Sequence, residues 1–594
     1  MKSFHIRRFS GIETKYEASD QDRGTLRRAV GVMLAPLGAV CTGPVWNTLW
    51  QSADSCGANI AAALTTAGAN ASKVHFITIT RSSEVLLVAW DMNGVTPRGI
   101  WHVGTGKNPK SFNSTSASTI ATPAGVYRDK TASLQWFGKW INGRLYLGNG
   151  TDTNLIWKDG GLYELGPAAT ATDMDDLSRV RIPPCTTFAQ DQDGVLRAAG
   201  NVTYPLRVWE TDKPTARFPR PEGLASSSAY RDITSESTNK VTALATIGRM
   251  VYAYLQGGGC VPIVPNLSPI IAAPTHHAAP PNPACINDNR RQPLYLGTDG
   301  ELYVVKAPPI DDGEPPRDSA IITSKSAGDW NHDMSKPLLL NDCYTIYDEK
   351  TDRYYVFVQI LATRTVMYCY EAKAYGVTGP IFGPDFICVT QLRDMPTTMM
   401  VGINRYGCLL YCDLADVGER ALPVYSTALA TTYQEQASVG SLSQRSTYVG
   451  ITADGLGFIQ GYYSGFTLGM ATPWSDFGDN SSGAIVATRF FRNARLNVME
   501  FNLEDMGDPA LTKEFCDVHL HWERNSAVHV GVFAEVDGRQ VGKWRGTGYP
   551  KTEQICGIGL SGRRLRLRVI FASFNDNPAM LRGVSIYYLE SVPN

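Results

Sequence analysis

The stretch Asn142-Gly-Arg-Leu-Tyr-Leu147 decides the fold. An Asn-Gly pair supplies the φ > 0 that a two-residue hairpin turn needs at both central positions, and the residues after it are strand formers. The same device recurs at Asp159-Gly160, Asp299-Gly300, Asp454-Gly455 and Asp537-Gly538, among nine Asn-Gly or Asp-Gly pairs in the chain. Their flanks agree: Pro293-Leu-Tyr-Leu296, Glu301-Leu-Tyr-Val-Val305 and Val528-His-Val-Gly-Val532 read as short strands. Asn93-Gly94, Asn142-Gly143 and Asp193-Gly194 recur about every 50 residues, close to the span of a four-stranded propeller blade. The chain therefore reads as mainly β.

Working outward, residues 1–73 are expected to form an N-terminal arm and a short helix. The arm is basic, with Lys2, Arg7, Arg8, Lys15, Arg23, Arg27 and Arg28, and the helix falls on the Ala-rich run from Ser55 to Gly68. Residues 74–480 are read as a β-propeller-like domain interrupted by Pro-rich loops at 261–283 and 307–318. Loops of that length in a compact domain tend to make contacts. Residues 481–594 alternate cleanly over Asp517–Trp522, Ala527–Val536, Arg563–Phe574 and Gly583–Leu589, which predicts a C-terminal β-sandwich.

Length and charge bound the function. At 594 residues, 55 Lys+Arg against 56 Asp+Glu leave a net charge of −1, so the bulk charge selects neither a polyanion nor a membrane surface. The 12 cysteines sit mostly in apolar runs such as Tyr368-Cys369-Tyr370 and read as buried thiols. Cys408 and Cys412 lack nearby His partners, which argues against zinc. The apolar segment Val30–Val40 imitates a signal sequence, but Pro36 and Gly38 interrupt it and the region before it is long, so a buried strand and turn explain it better. No run approaches the ~20 apolar residues of a membrane span, and the expectation is a soluble protein made in the cytoplasm.

Among chemical constellations the sharpest is His519-Leu-His521-Trp-Glu523, with His529 on the following strand. Period-2 geometry puts His519, His521 and Glu523 on one face, where two imidazoles and a carboxylate could hold a first-row metal. The spacing departs from the cupin pattern, and a solvated polar face is the preferred reading; no metal and no cofactor are expected. Arg564, Arg566 and Arg568 line one face of a later strand and could meet an acidic neighbour or phosphates, against the plainer reading of wet guanidinium heads over apolar stems. Gly104-Thr-Gly-Lys107 fails the phosphate-loop pattern and no Gly-x-Ser-x-Gly elbow occurs, so the sequence makes no case for an enzyme.

Three regions together resemble a family. Phe9-Ser-Gly-Ile-Glu-Thr14 with Gly31-Val-Met-Leu-Ala-Pro-Leu-Gly38 and Pro44-Val-Trp46, then Gly259-Cys-Val-Pro262 leading to Leu294–Gly300 and Leu302-Tyr303, and finally Gly562–Arg568 with Val584–Tyr588 are similar to segments of bacteriophage tail nozzle and tail-tube proteins. That resemblance implies a structural virion protein of a phage tail, made in the host cytoplasm. It would form a homo-oligomeric ring, a hexamer, below the portal adaptor and conduct genomic DNA without sequence specificity. Tail fibres or other tail proteins would attach outside. Arg7, Arg8, Arg27, Arg28, Arg564, Arg566 and Arg568 would then serve as assembly contacts. Two rival readings stand beside it: a propeller that binds a receptor or glycan, with Trp136, Trp140 and Trp157 as stacking surfaces, and a glycan-active enzyme on the same scaffold.

Overall fold

The computed structural model describes residues 1–13, 24–30 and 32–42, most of 136–165, 181–211, 230–263, 278–305, 343–382, 510–547 and 553–591, and separate strands elsewhere. The helix expected at 55–68, the loop at 307–318 and the pairs Asn93-Gly94 and Asp454-Gly455 lie outside the described residues.

The Gly-marked turns do what the sequence requires of them. Asn142 (φ 49°) closes the turn between Phe137–Ile141 and Arg144–Gly148, with Ile141 opposite Arg144. Asp537 (φ 48°) and Gly538 (φ 78°) close a two-residue turn that sets Val536 opposite Arg539. The Asp537 carboxylate also accepts the backbone N–H of Arg564 at 2.8 Å, tying that hairpin to the next strand but one.

Among the described strands, seven antiparallel sheets form a ring. Their first strands begin at Val74, Phe137, Thr187, Val241, Ile286, Tyr344 and Phe386; each lies against the next, and the seventh returns to the first. The closure is sealed by chain from outside the ring: Asn47–Thr48 pairs with Leu409–Asp413 and adds an outer strand to the seventh sheet. A strand that precedes the first blade in sequence is thereby held to the last blade by backbone hydrogen bonds, which an open ring of separate sheets lacks. Apolar side chains interleave between blades: Tyr146, Ile156, Phe188 and Leu196 pack together between the second and third, and Tyr254, Tyr295 and Tyr303 between the fourth and fifth. Tyr295 and Tyr303 stack with centroids 5.0 Å apart. Of the Pro-rich excursion at 261–283, Ile270–Ile271 adds a parallel strand to Ile233–Thr234, so part of that loop is built into the third blade.

Among the described residues the last strand of the ring is Leu409–Asp413, where the propeller-like domain is expected to reach 480. The three-stranded sheet of Thr447–Ile451, Phe458–Tyr462 and Gly469–Ala471 lies instead against Val528–Val536 of the sandwich. Turn dipeptides mark hairpins but carry no information on which hairpins share a ring.

The C-terminal sandwich is as the alternation predicts, with one addition. Thr512–Trp522 runs between Met580–Ser591 and Glu553–Gly562 in one sheet; Leu565–Ser573 runs between Asn497–Leu503 and Val528–Val536 in the other. Phe515, Val518, Leu520, Trp522, Leu565, Leu567 and Val569 fill the space between them. Into this core the N-terminal residues insert Ile6, Phe9, Ile12, Leu26, Val32, Leu34 and Val40. Lys2–Ile6 pairs with Val584–Tyr588, and the Val32–Ala35/Ala39–Thr42 hairpin extends the same sheet. Arg28–Val30 lies in the other sheet, where Ala29 faces Met499 on one side and Gly379 of the sixth blade on the other, so one nine-stranded sheet runs from propeller into sandwich. Over its described residues, the segment read as an arm is a set of sandwich strands and the joint between the two bodies. Its positive charge suggested an arm; the apolar residues between the charges decide its place.

The hairpin turn Pro36-Leu37-Gly38 holds a non-glycine residue in the left-handed region, Leu37 at φ 66° and 77% exposed. A branched-chain side chain there costs roughly 1 kcal/mol and contributes no burial in return. Leu37→Gly should therefore raise stability by about 0.5–1 kcal/mol, read as a shift of the denaturant midpoint at unchanged slope.

Candidate functional site

Three of the described polar constellations bear on the candidates: the joint, the outer face of the first sandwich sheet, and the first strands of the second to fifth blades.

At the joint, Arg353 opens the second strand of the sixth blade and is 1% exposed. Its Nε donates to Glu371 Oε2 at 2.6 Å on the adjacent strand, and its Nη2 donates to the Leu34 carbonyl at 2.8 Å on the N-terminal hairpin. A buried guanidinium is tolerable only with such partners. Burial raises the Glu371 carboxyl above its ordinary value against the opposing pull of Arg353, and burial likewise pushes the neighbouring Cys41 thiol up to about 11. Below it the backbones of the two bodies touch: Ile12 N–H donates to the Val377 carbonyl at 2.9 Å.

On the sandwich face, the predicted alternation holds for His519 and His521, which point outward while Val518, Leu520 and Trp522 are buried. The carboxylate that meets them is not Glu523 but Glu553, from the neighbouring strand: its Oε1 lies 2.8 Å from His519 Nδ1 and 3.8 Å from His521 Nδ1. Glu523 is engaged by Arg582, after a register shift between His521 and Trp522. His529 belongs to the other sheet of the sandwich, opposite Ala572. The four residues do not converge, and among the described residues no group of three His, Cys, Asp or Glu has metal-binding geometry. What converges instead is His5, with Nδ1 2.7 Å from Ser585 Oγ, and His521, with Nε2 2.7 Å from the same oxygen. Tyr587 completes the face, its ring 4.5 Å from that of His519. Burial, with the nearby rings of His519 and His5, lowers the His521 value against an upward pull from Glu553.

The arginine candidates divide. Arg566 Nη1 lies 3.5 Å from Glu535 Oε1, and the Arg568 guanidinium sits 5.9 Å from the Phe533 ring centroid, with Leu565, Leu567 and Val569 buried on the opposite face. Arg7, Arg8, Arg27 and Arg564 are exposed and Arg28 is half-buried. Arg7, Arg8 and Arg27 lie outside strands, Arg28 opens Arg28–Val30, and Arg564 precedes the strand that carries Arg566 and Arg568.

Among the first strands of the second to fifth blades, Asn142 Nδ2 donates to Gln190 Oε1 at 2.6 Å, Thr246 Oγ1 donates to the Gln190 carbonyl at 2.9 Å, and Asp288 accepts the Thr246 N–H at 2.9 Å. Lys139 of the second blade pairs with Asp288 of the fifth, so polar groups from four blades meet across the ring. Of the tryptophans offered as stacking surfaces, Trp136 is 2% exposed and unavailable, Trp140 is half-buried, and the Trp157 side chain lies outside the described residues. The sequence missed a rigid apolar prominence on the third blade. Asn201 Oδ1 accepts the N–H groups of Thr203 and Tyr204, both at 2.8 Å, and holds Val202 and Tyr204 outward at 71% and 48% exposure. Arg207 lies between the rings of Tyr204 and Tyr230, 4.5 and 3.5 Å from their centroids.

Ring closure and sheet order define the chain as a β-propeller joined to a β-sandwich. Neither a family model nor a curated protein sequence matches it. Solved structures with partial likeness include Raptor from Chaetomium thermophilum (13% identity, TM-score 0.35, covering 62% of this chain and 29% of that one). Another is YCF48 from Cyanidioschyzon merolae (8%, TM-score 0.32, 63% and 99%). A third is an exo-beta-1,3-galactanase from Phanerochaete chrysosporium (10%, TM-score 0.20, 76% and 95%). The chain thus spans under a third of the Raptor chain.

Proposed function

We propose that this chain is a structural subunit of a phage-tail-type ring, in which propeller and sandwich act as one stiff block. The observation that supports the reading most is the joint: strands from residues 2–42 enter both sandwich sheets and the sixth blade, and Arg353 crosses from blade to hairpin. A subunit that transmits force around a ring needs its parts coupled through backbone pairing and a shared core rather than through a linker. The resemblance of the N-terminal, central and C-terminal segments to tail nozzle proteins supplies the finer identity, with a homohexamer below the portal adaptor and DNA passing through it. Native mass spectrometry and negative-stain imaging of the purified chain test this. Closed rings of a single order are expected, and a persistent monomer at micromolar concentration would remove the reading.

A second reading, a propeller that binds a receptor or glycan, is favoured by the Val202–Tyr204 prominence, since rigid exposed aromatics are anchors at binding surfaces. If it holds, Tyr204→Ala weakens binding in a glycan or host-envelope panel by about tenfold or more, with the ring order unchanged.

A further inference from the structure

The contact between His5, Ser585 and His521 has a proton inventory that accommodates at most one added proton. Lys2–Ile6 lies antiparallel to Val584–Tyr588, with His5 opposite Ser585, and on the far side of the same strand His519 stands opposite Ser585 as well. Ser585 is buried at 4% exposure, and its Oγ lies 2.7 Å from a ring nitrogen of each of His5 and His521. A hydroxyl carries one hydrogen, and a neutral imidazole one N–H and one acceptor nitrogen. The assignment that uses every atom runs in one direction. Ser3 donates to His5 Nε2 across 3.0 Å, His5 Nδ1–H donates to Ser585 Oγ, and the Ser585 hydrogen goes to His521 Nε2. The remaining proton of His521 then sits on Nδ1, facing Glu553, which also accepts from His519.

A proton added to His521 lands on Nε2 and reverses that order: Ser585 accepts from His521 and gives its hydrogen to His5 Nδ1, whose Nε2–H turns to Ser3. A second proton leaves both rings donating and the Ser585 hydrogen without an acceptor. If His5 is protonated too, two imidazolium rings of like charge are held on one oxygen, with a single carboxylate, Glu553, shared among three rings. The other charged groups of these strands are already committed or distant in register: Lys2 pairs with Glu590, Arg582 with Glu523, Asp517 stands opposite Tyr587, and Arg7 follows His5 by two residues. Tyr587 lies beside His519.

We propose that the His5–Ser585–His521 bridge is a proton-operated clasp, which holds the Lys2–Ile6 strand in the sandwich when its imidazoles are neutral and loosens it below about pH 6.5, where imidazole ordinarily gains its proton. The sign follows from burial. His521 is held below its ordinary value, so the unfolded strand binds the proton more readily than the folded one, and the stabilisation is present above about pH 6.5 and lost as pH falls through the lowered value. Loosening would withdraw Ile6, 3% exposed, from the shared core and bare the backbone edge of Val584–Tyr588.

Hydrogen exchange followed by mass spectrometry on the full chain tests the clasp, comparing pH 7.5, 6.5 and 5.5 after correction for intrinsic exchange. Protection of residues 3–6 is expected to fall at least tenfold between pH 7.5 and 5.5, while 512–522, in the middle of the same sheet, changes less than twofold. The pair His5→Gln/His521→Gln, whose amides keep hydrogen-bonding capacity without titrating, should remove the pH dependence. Lys2→Met, which removes the neighbouring ion pair, should leave it in place. Equal protection of residues 3–6 at all three pH values in the unaltered chain overturns the proposal. So does a loss that persists in the double variant, or one that 512–522 shares.

Discussion

Arg353→Ala is expected to destabilise the joint by about 3–5 kcal/mol, the usual result of removing one partner from a buried ion pair. Arg353 and Glu371 side chains are 2% and 5% exposed, so the carboxylate left behind has no ready access to water. The Leu34 carbonyl loses its guanidinium donor at the same time. Equilibrium unfolding in denaturant, with Trp fluorescence for the core and exchange at 32–42 for the hairpin, should show the hairpin loosening first. The double replacement Arg353→Met/Glu371→Leu is expected to recover most of the loss, because well-packed apolar side chains often match a buried pair. A cost below about 1 kcal/mol for Arg353→Ala would mean that the pair does not hold the joint.

Gly11→Ala is expected to cost about 2–4 kcal/mol, combining strain at a left-handed position with a clash that only backbone can relieve. Gly11 has φ 91°, and an added Cβ would lie 2.8 Å from Gly376 Cα and 2.8 Å from Val377 N. From the other side, a Cβ on Gly376 would meet the Ser10 carbonyl oxygen at 2.2 Å. Two glycines thus let the N-terminal segment and the sixth blade approach within backbone contact, and neither side has a flexible side chain to give way. Limited proteolysis should find the altered chain cut between residues 1 and 42 with the blades still protected. A stability change under about 1 kcal/mol would show slack at this approach.

The hairpins were legible because their determinants are local. Asp537-Gly538 states its own dihedral requirement, and the alternation through Val518–Trp522 states which side chains are buried. His519 and His521 were likewise placed on one face by period alone. Their partners were not, because cross-strand register is set by the whole sheet: Glu553 comes from a strand reached only after the Val528–Thr547 hairpin of the other sheet, and Ser585 and His5 are 580 residues apart in sequence. The N-terminal segment was misjudged by charge. Phe9, Ile12, Leu26 and Leu34 fill the core, yet seven basic residues between Lys2 and Arg28 dominate a reading made without partners. Arg353 did leave a trace in the sequence, as a cation at the head of the run Tyr-Tyr-Val-Phe-Val, where an uncompensated charge would be costly.

The pairing of Lys2–Ile6 with Val584–Tyr588 also sets an order in time. At roughly 5–20 residues per second, the residues that receive the first strand leave the ribosome about 30–120 s after it does. During that interval Ile6, Phe9 and Leu34 have no core to enter, while the second to fifth blades, whose described strands pair with neighbours a few tens of residues away, can form as they are made. The sandwich is thus the step that waits, since Lys2–Ile6 has no partner until Val584–Tyr588 has been made.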